Sequence, residues 1–170
     1  MWPWHSPKKI MPGSTDVFRS RILIVDDQES NVRLLEYTLR RAGYVAVSST
    51  GNSMEVCALH GRNRYDLILL DIQMPHMNGF EVLEALPGLE EEDAVAVLVL
   101  TADPAQMVRA LESGATGFLS KPFVLAEVLM CVRLMLEKTS MQRAAVDERR
   151  ASAKRMRSEL AAKSARSAVR

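Results

Sequence analysis

Three stretches of this chain are apolar at every position: Ile22-Leu23-Ile24-Val25, Leu67-Ile68-Leu69-Leu70, and Val95 through Leu100. A fourth, shorter stretch, Gly117-Phe118-Leu119-Ser120, follows and is apolar only in part. Strands that face water on one side alternate apolar with polar residues, so runs like these belong to strands buried on both faces, as in a parallel sheet covered by helices. Each run also stops at a residue able to do chemistry. Asp26-Asp27, Asp71, Thr101 and Lys121-Pro122 follow the four runs in turn. In a parallel sheet the carboxyl ends of all strands open at one edge, so these distant residues are gathered into one pocket.

The segments between the runs carry helical signals. Strands are expected at 21–25, 45–47, 67–70, 95–100 and 116–120. Ser30 is the expected cap of a helix ending near Ala42-Gly43. Asn52 or Ser53 opens a second helix that stops near Gly61, and Asn78 a third, stopped by Pro87-Gly88. The acidic stretch Glu90-Glu91-Glu92-Asp93 reads as a loop. Asp103-Pro104 places a cap and a first-turn proline in the preferred order for a fourth helix. A fifth begins near Val124 and meets no Gly or Pro before Arg170. Five strands alternating with helices define an α/β, doubly wound, five-stranded parallel sheet with an extended C-terminal helix or tail.

Charge divides the chain as the periodicity does. Residues 20–137 hold 9 Lys and Arg against 17 Asp and Glu, residues 138–170 hold 10 against 3, and residues 1–19 hold 3 against 1. The reading is therefore a disordered leader over 1–19, a domain over 20–137 and a basic helical or disordered tail or linker over 138–170. From Val128 the last helix carries a 4-3 seam through Val132, Met135, Thr139, Gln142, Val146, Arg149, Ala153, Met156 and Leu160. Gln142 and Arg149 make it a poor coiled coil. No apolar run is long enough to span a bilayer. Cys57 and Cys131 lack CxxC spacing and read as reduced thiols of a cytoplasmic protein.

Asp26, Asp27 and Asp71 crowd negative charge into a small space. Two carboxylates about 4 Å apart repel by roughly 1–4 kcal/mol, depending on effective dielectric. A divalent cation relieves that repulsion, and an all-oxygen donor set suits Mg²⁺. Of the other chemically conspicuous residues, His60 and His76 lack a partner at ligand spacing and read as surface residues. Met74 and Met77 read as packing in the loop after Asp71, and Trp2 and Trp4 as part of the leader.

The ordered set ILIVDDQ (22–28), LILLDIQMPHMNGFEVL (67–83), VLTA (99–102) and GATGFLSKPF (114–123) resembles the receiver domain of two-component response regulators. The resemblance implies a flavodoxin-like fold, with βα repeated five times over residues 20–137. It implies that Asp71 accepts a phosphoryl group from a sensor histidine kinase or phosphotransfer protein. It further implies Mg²⁺ held by Asp26, Asp27, Asp71 and the backbone carbonyl of Gln73, with Asp26 acting mainly through bound water. Thr101, Ala102 and Lys121 would bind the phosphoryl group, Thr101 and Phe118 would form a switch pair, and Pro122 would follow a cis bond that aims the lysine. Gln73 and Asp103 would flank the site and tune phosphoryl lifetime.

The implied protein is a signalling module rather than a turnover enzyme. Its partners would be the kinase, a downstream protein target and, through the 104–137 face, a second copy; no membrane is implied. It could also be the receiver portion of a longer regulator whose output domain follows the tail. Two other classes fit less well. A haloacid-dehalogenase-like phosphatase needs D-x-D after its first strand, where this chain has Asp26-Asp27, and Asp71 is followed by Ile72-Gln73. A DNA-binding helix-turn-helix domain needs about 40 residues or more, so the tail offers nucleic acid only a weak, salt-sensitive attraction.

Overall fold

The computed structural model describes residues 17–74, 78–86 and 95–167, with side chains to residue 159. The sheet comprises β1 (Arg21–Val25), β2 (Ala46–Thr50), β3 (Leu67–Asp71), β4 (Ala96–Thr101) and β5 (Gly117–Ser120). Every pairing is parallel, in the order β2-β1-β3-β4-β5. The connecting helices are α1 (Glu29–Arg41), α2 (Val56–Asn63), α3 (Gly79–Ala85) and α4 (Met107–Glu112), and α5 (Leu125–Ser167) closes the chain.

The all-apolar runs are buried on both sides, as their pattern requires. Ile22, Ile24, Leu67, Leu69, Leu98 and Leu100 meet Leu35 and Leu39 of α1 and Val128, Val132, Met135 and Leu136 of α5. Their neighbours Leu23, Val25, Ile68, Leu70, Val97 and Val99 point the other way, onto Val56 of α2, Phe80, Val82 and Leu83 of α3 and Ala110 of α4. Each such side chain, fully buried, contributes about 1.5–3 kcal/mol from transfer out of water.

Several local expectations are corrected. Strand β2 runs over 46–50, not 45–47. It is an edge strand whose register is set by pairing Arg21 to Ala46 through Val25 to Thr50, so it need not be apolar. Ser48 donates to the Tyr65 hydroxyl and Ser49 to Glu36, while Val45 is left exposed. Helix α1 starts at Glu29 with Gln28 as its cap, two residues before the expected cap Ser30. The cap makes no side-chain hydrogen bond to the helix; its own N–H donates to Asp26 Oδ1 at 2.8 Å.

Gly61 does not stop α2. The helix runs to Asn63, and Arg64 takes the left-handed conformation (φ 53°) with its N–H on the His60 carbonyl. His60 is not a surface residue: it is 4% exposed, with its ring stacked on Tyr65. Burial first, and then the charges of Arg64 and Arg143, hold its imidazole below the usual range. Asn78 and Asp103 cap as expected, accepting from the Phe80 and Ala105 N–H groups. After Asp103 the chain makes a 3₁₀ turn (Pro104–Gln106) before α4.

Val17–Arg19, placed with the leader above, form a turn against the body: Phe18 packs on Tyr44, and its carbonyl accepts from the Val45 N–H. Residues 1–16, the acidic loop Glu90-Glu91-Glu92-Asp93, His76 and Met77 lie outside the described residues. The first part of the 4-3 seam serves the sheet. Val128, Val132, Met135 and Thr139 are buried, whereas Val146 and Met156 are exposed. Past residue 137, Arg143 pairs with Asp66, which also accepts the Arg21 N–H at 2.7 Å. This ties α5 to the edge of the sheet opposite Asp71.

Candidate functional site

The register dictates the site. Val25 lies opposite Leu70, so Asp26 and Asp71 each emerge one residue beyond a matched pair on neighbouring strands. Helix α1 leaves β1 on one face of the sheet and α3 leaves β3 on the other. Such a divergence is where a crevice opens at the carboxyl ends of a doubly wound sheet. Oxygens of Asp26, Asp27 and Asp71 all lie within 4.8 Å of one another. Asp26 and Asp71 are buried and Asp27 is exposed.

Lys121 reaches in from the end of β5. Its Nζ lies 2.9 Å from Asp26 Oδ2 and 2.8 Å from Asp71 Oδ2, so one ammonium spans two carboxylates. The Lys121–Pro122 bond is cis, and the Lys121 N–H donates to the Thr101 carbonyl at 2.7 Å, fixing the two strand ends together. Burial raises the Asp71 carboxyl above its usual range, against the Lys121 ammonium and the Gln73 N–H, which pull it down. For Lys121 burial works downward, but hydrogen bonds to Asp71 and Asp26 outweigh it and raise the ammonium. The lysine gains from two anions while Asp71 shares one cation, which is why both groups move upward.

Thr101 is fully buried, and its Oγ1 accepts from the Asp103 N–H at 3.2 Å. Ala102 is exposed beside it. Phe118 pairs with Val99 and Ser120 with Thr101, so Phe118 and Thr101 share the face covered by α2, α3 and α4, with Phe118 half-buried. Gln73 donates its N–H to Asp71 Oδ1 at 3.0 Å, and its side chain is exposed. Met74 packs against the same core as Phe118. The structure thus brings together Asp26, Asp27, Asp71, Gln73, Thr101 and Lys121.

Two supporting residues escaped the sequence reading. Asn31, in the first turn of α1, donates its amide to Asp26 Oδ2 at 3.1 Å and lies 3.4 Å from Oδ1. Its only sequence signal is a position one helical turn past the aspartate pair. Gly79 lets α3 approach the end of β3: a Cβ there would sit 2.7 Å from Ile72 Cα and 2.9 Å from the Asp71 carbonyl oxygen. The Asn78-Gly79 pair was legible as a cap but not as a close approach.

Comparison with known proteins places this fold. A family model described as the response regulator receiver domain matches residues 22–133. The transcriptional regulatory protein PrrA of Mycobacterium tuberculosis is 36% identical over 124 residues, 73% of this chain and 53% of PrrA. The response regulator PleD of Caulobacter vibrioides is 42% identical over 105 residues, 61% of this chain and 23% of PleD. Among solved structures, the chemotaxis response regulator CheY4 of Vibrio cholerae aligns with a TM-score of 0.62 at 30% identity, over 69% of this chain and 98% of that one. The chain belongs to the response regulator receiver domain family, and its fold is the flavodoxin-like fold of that family with a long C-terminal helix. It spans about half the length of PrrA and about a quarter of PleD. Proteins of this class act between sensor kinases and downstream targets. No helix among the described residues is long and apolar enough to cross a membrane.

Proposed function

We propose that this chain is a phosphoacceptor: Asp71 takes a phosphoryl group from a phosphohistidine of a sensor histidine kinase or phosphotransfer protein. The observation that carries this reading is the buried Asp71 carboxylate, flanked by Asp26 and Asp27 and held by the Lys121 ammonium at 2.8 Å. A carboxylate oxygen of Asp71 attacks phosphorus, the P–N bond breaks, and the imidazole leaves with the electron pair, giving an aspartyl-phosphate. The protein's part in such a transfer is positioning and charge neutralisation.

The donor set fits a magnesium ion: three carboxylates clustered within 4.8 Å, one of them open to water, next to a strand-end backbone. Asp27, Asp71 and the Gln73 carbonyl would hold it directly, and Asp26 mainly through bound water. When bound, Mg²⁺ neutralises charge on the phosphoryl oxygens and relieves repulsion among the carboxylates. Lys121 is the cation already in place for the transferred oxygens. The Thr101 hydroxyl would donate to one of them, giving up Asp103, and Phe118 would follow on the same face. Ala102 leaves the entrance open.

The phosphoryl group adds charge and strong acceptors at the end of β3, beside Thr101 of β4, and so biases the surface built from α4, β5 and the start of α5. That surface exposes Met107, Val108, Leu111, Val124, Met130 and Leu134, which suits a downstream target or a second copy. The chain acts in the cytoplasm, as its free Cys57 and Cys131 suit, and as a switch rather than a turnover enzyme. In a longer regulator, α5 would lead to an output domain. Acetyl phosphate with Mg²⁺ labels the wild-type chain once, and Asp71→Asn abolishes the label. Undiminished labelling of Asp71→Asn refutes the acceptor. Steady phosphate release from a generic phosphomonoester would favour the phosphatase reading instead.

A further inference from the structure

The three carboxylates of the site are not equally free to bind a cation. A carboxylate offers about four lone-pair positions. On Asp26 all are contacted: Oδ1 by the Gln28 N–H at 2.8 Å and by Asn31 at 3.4 Å, Oδ2 by Lys121 at 2.9 Å and by Asn31 at 3.1 Å. Asp71 carries two donors, the Gln73 N–H on Oδ1 and Lys121 on Oδ2. Asp27 is exposed and, among the described residues, receives none. Asp27 and Asp71 therefore have open positions and Asp26 has none.

Asn31 makes the difference. The Gln28 N–H is backbone and Lys121 also serves Asp71, but the Asn31 amide is a neutral donor placed across both Asp26 oxygens from the first turn of α1. The orientation of that amide is fixed, since its oxygen cannot face a carboxylate, and its nitrogen also lies 3.3 Å from Gln28 Oε1. Mg²⁺ keeps several waters and takes only one or two carboxylates directly, whereas Ca²⁺ takes six to eight oxygens and profits from each further carboxylate.

Building on the magnesium reading above, we propose that Asn31 is a metal-selectivity residue: by filling the Asp26 carboxylate it keeps Asp26 from becoming a third direct ligand and holds the site to a small, water-retaining cation. Asn31 acts through Asp26 and touches neither metal nor phosphoryl group. Partners one step removed from a metal commonly change affinity by about ten- to a hundredfold, and here the change falls unequally on the two ions.

The test is calorimetric titration of Mg²⁺ and of Ca²⁺ into the full chain, wild type and Asn31→Ala. The ratio of Ca²⁺ to Mg²⁺ affinity rises by about tenfold or more in Asn31→Ala, and adding Asp26→Asn to that variant removes the gain. A merely structural Asn31 would weaken both ions alike, and an unchanged ratio overturns the proposal. Should Asn31→Ala fail to fold, Asn31→Ser, whose shorter side chain falls short of Asp26, is read in the same way. A wild-type chain that binds neither ion removes the magnesium reading itself, and the proposal with it. A wild type that binds Mg²⁺ beside a variant with the same ratio removes the proposal alone.

Discussion

Replacing Gly79 by alanine tests whether the loop after Asp71 is held by close packing. The new Cβ would lie 2.7 Å from Ile72 Cα, 2.9 Å from the Asp71 carbonyl oxygen and 3.3 Å from Ile72 Cγ1. Unstrained carbon contacts sit at about 3.5–4.0 Å, and the two nearest atoms are backbone, so no rotamer change relieves them. Overpacking of this kind costs about 1–3 kcal/mol, and Gly79 is the first residue of α3, so little of the gain alanine has over glycine inside a helix offsets it. A net loss of about 1–3 kcal/mol lowers Tm by roughly 2–12 °C in a chain of this size.

The same shift moves the Gln73 N–H from Asp71 Oδ1, now 3.0 Å away. A displacement near 1 Å at a reacting group costs up to about a hundredfold in rate. Acetyl phosphate labelling should slow by about ten- to a hundredfold. Gly61→Ala is the control: no atom lies within 4 Å of a Cβ there and the residue is inside α2, so it should stabilise by about 0.5–1 kcal/mol without changing the labelling rate. A Gly79→Ala chain as stable as wild type and labelled at the wild-type rate refutes the packing account.

Lys121→Met leaves Asp26 and Asp71 buried without their shared cation and should cost about 3–5 kcal/mol by denaturant titration without metal. Added Mg²⁺ should then raise its Tm more than it raises that of wild type. Asp71, whose carboxyl is raised above its ordinary 3.8, binds a proton in the folded chain where the unfolded chain has released it, so stability falls as pH rises through that interval. Metal-free Asp71→Asn should flatten this decline over the interval just above the ordinary carboxyl range, read from denaturation midpoints; an equally steep profile contradicts the assignment. A chain ended after residue 147 should fold and label as the full chain does, while one ended after 137 loses buried Thr139 and the Arg143–Asp66 pair and should be less stable by about 1–3 kcal/mol.

The parts of the fold legible in the sequence are those governed by one rule. Runs apolar at every position could only be strands buried on both faces, so β1, β3 and β4 were readable to within a residue. Because parallel strands share an edge, Asp26, Asp71, Thr101 and Lys121 were readable as neighbours. Strand β2 was misjudged because an edge strand takes its length from pairing with β1 rather than from burial. The caps at Asn78 and Asp103 are local and were found. The start of α1 was not, because its cap Gln28 makes no side-chain bond to the helix and is itself held by Asp26, a side chain that also belongs to the site. Gly61 misled because a glycine signals a helix end only if the chain needs a left-handed turn there, and Arg64 supplies it instead. His60, Asn31 and Gly79 owe their surroundings to residues distant in the chain or to the path of the backbone, which single-residue preferences do not encode.

Titration of Mg²⁺ into ¹⁵N-labelled protein tests the central claim, that aspartates from two strand ends and a lysine from a third share one cation site. Amide signals of Asp27 and Gln28, of Asp71 to Gln73, of Thr101 to Asp103 and of Lys121 should shift together along one saturating curve, with Asp66 and Arg143 at the opposite edge unmoved. Shifts that follow separate curves at Asp27 and Asp71, or that centre on residues other than these, would contradict it.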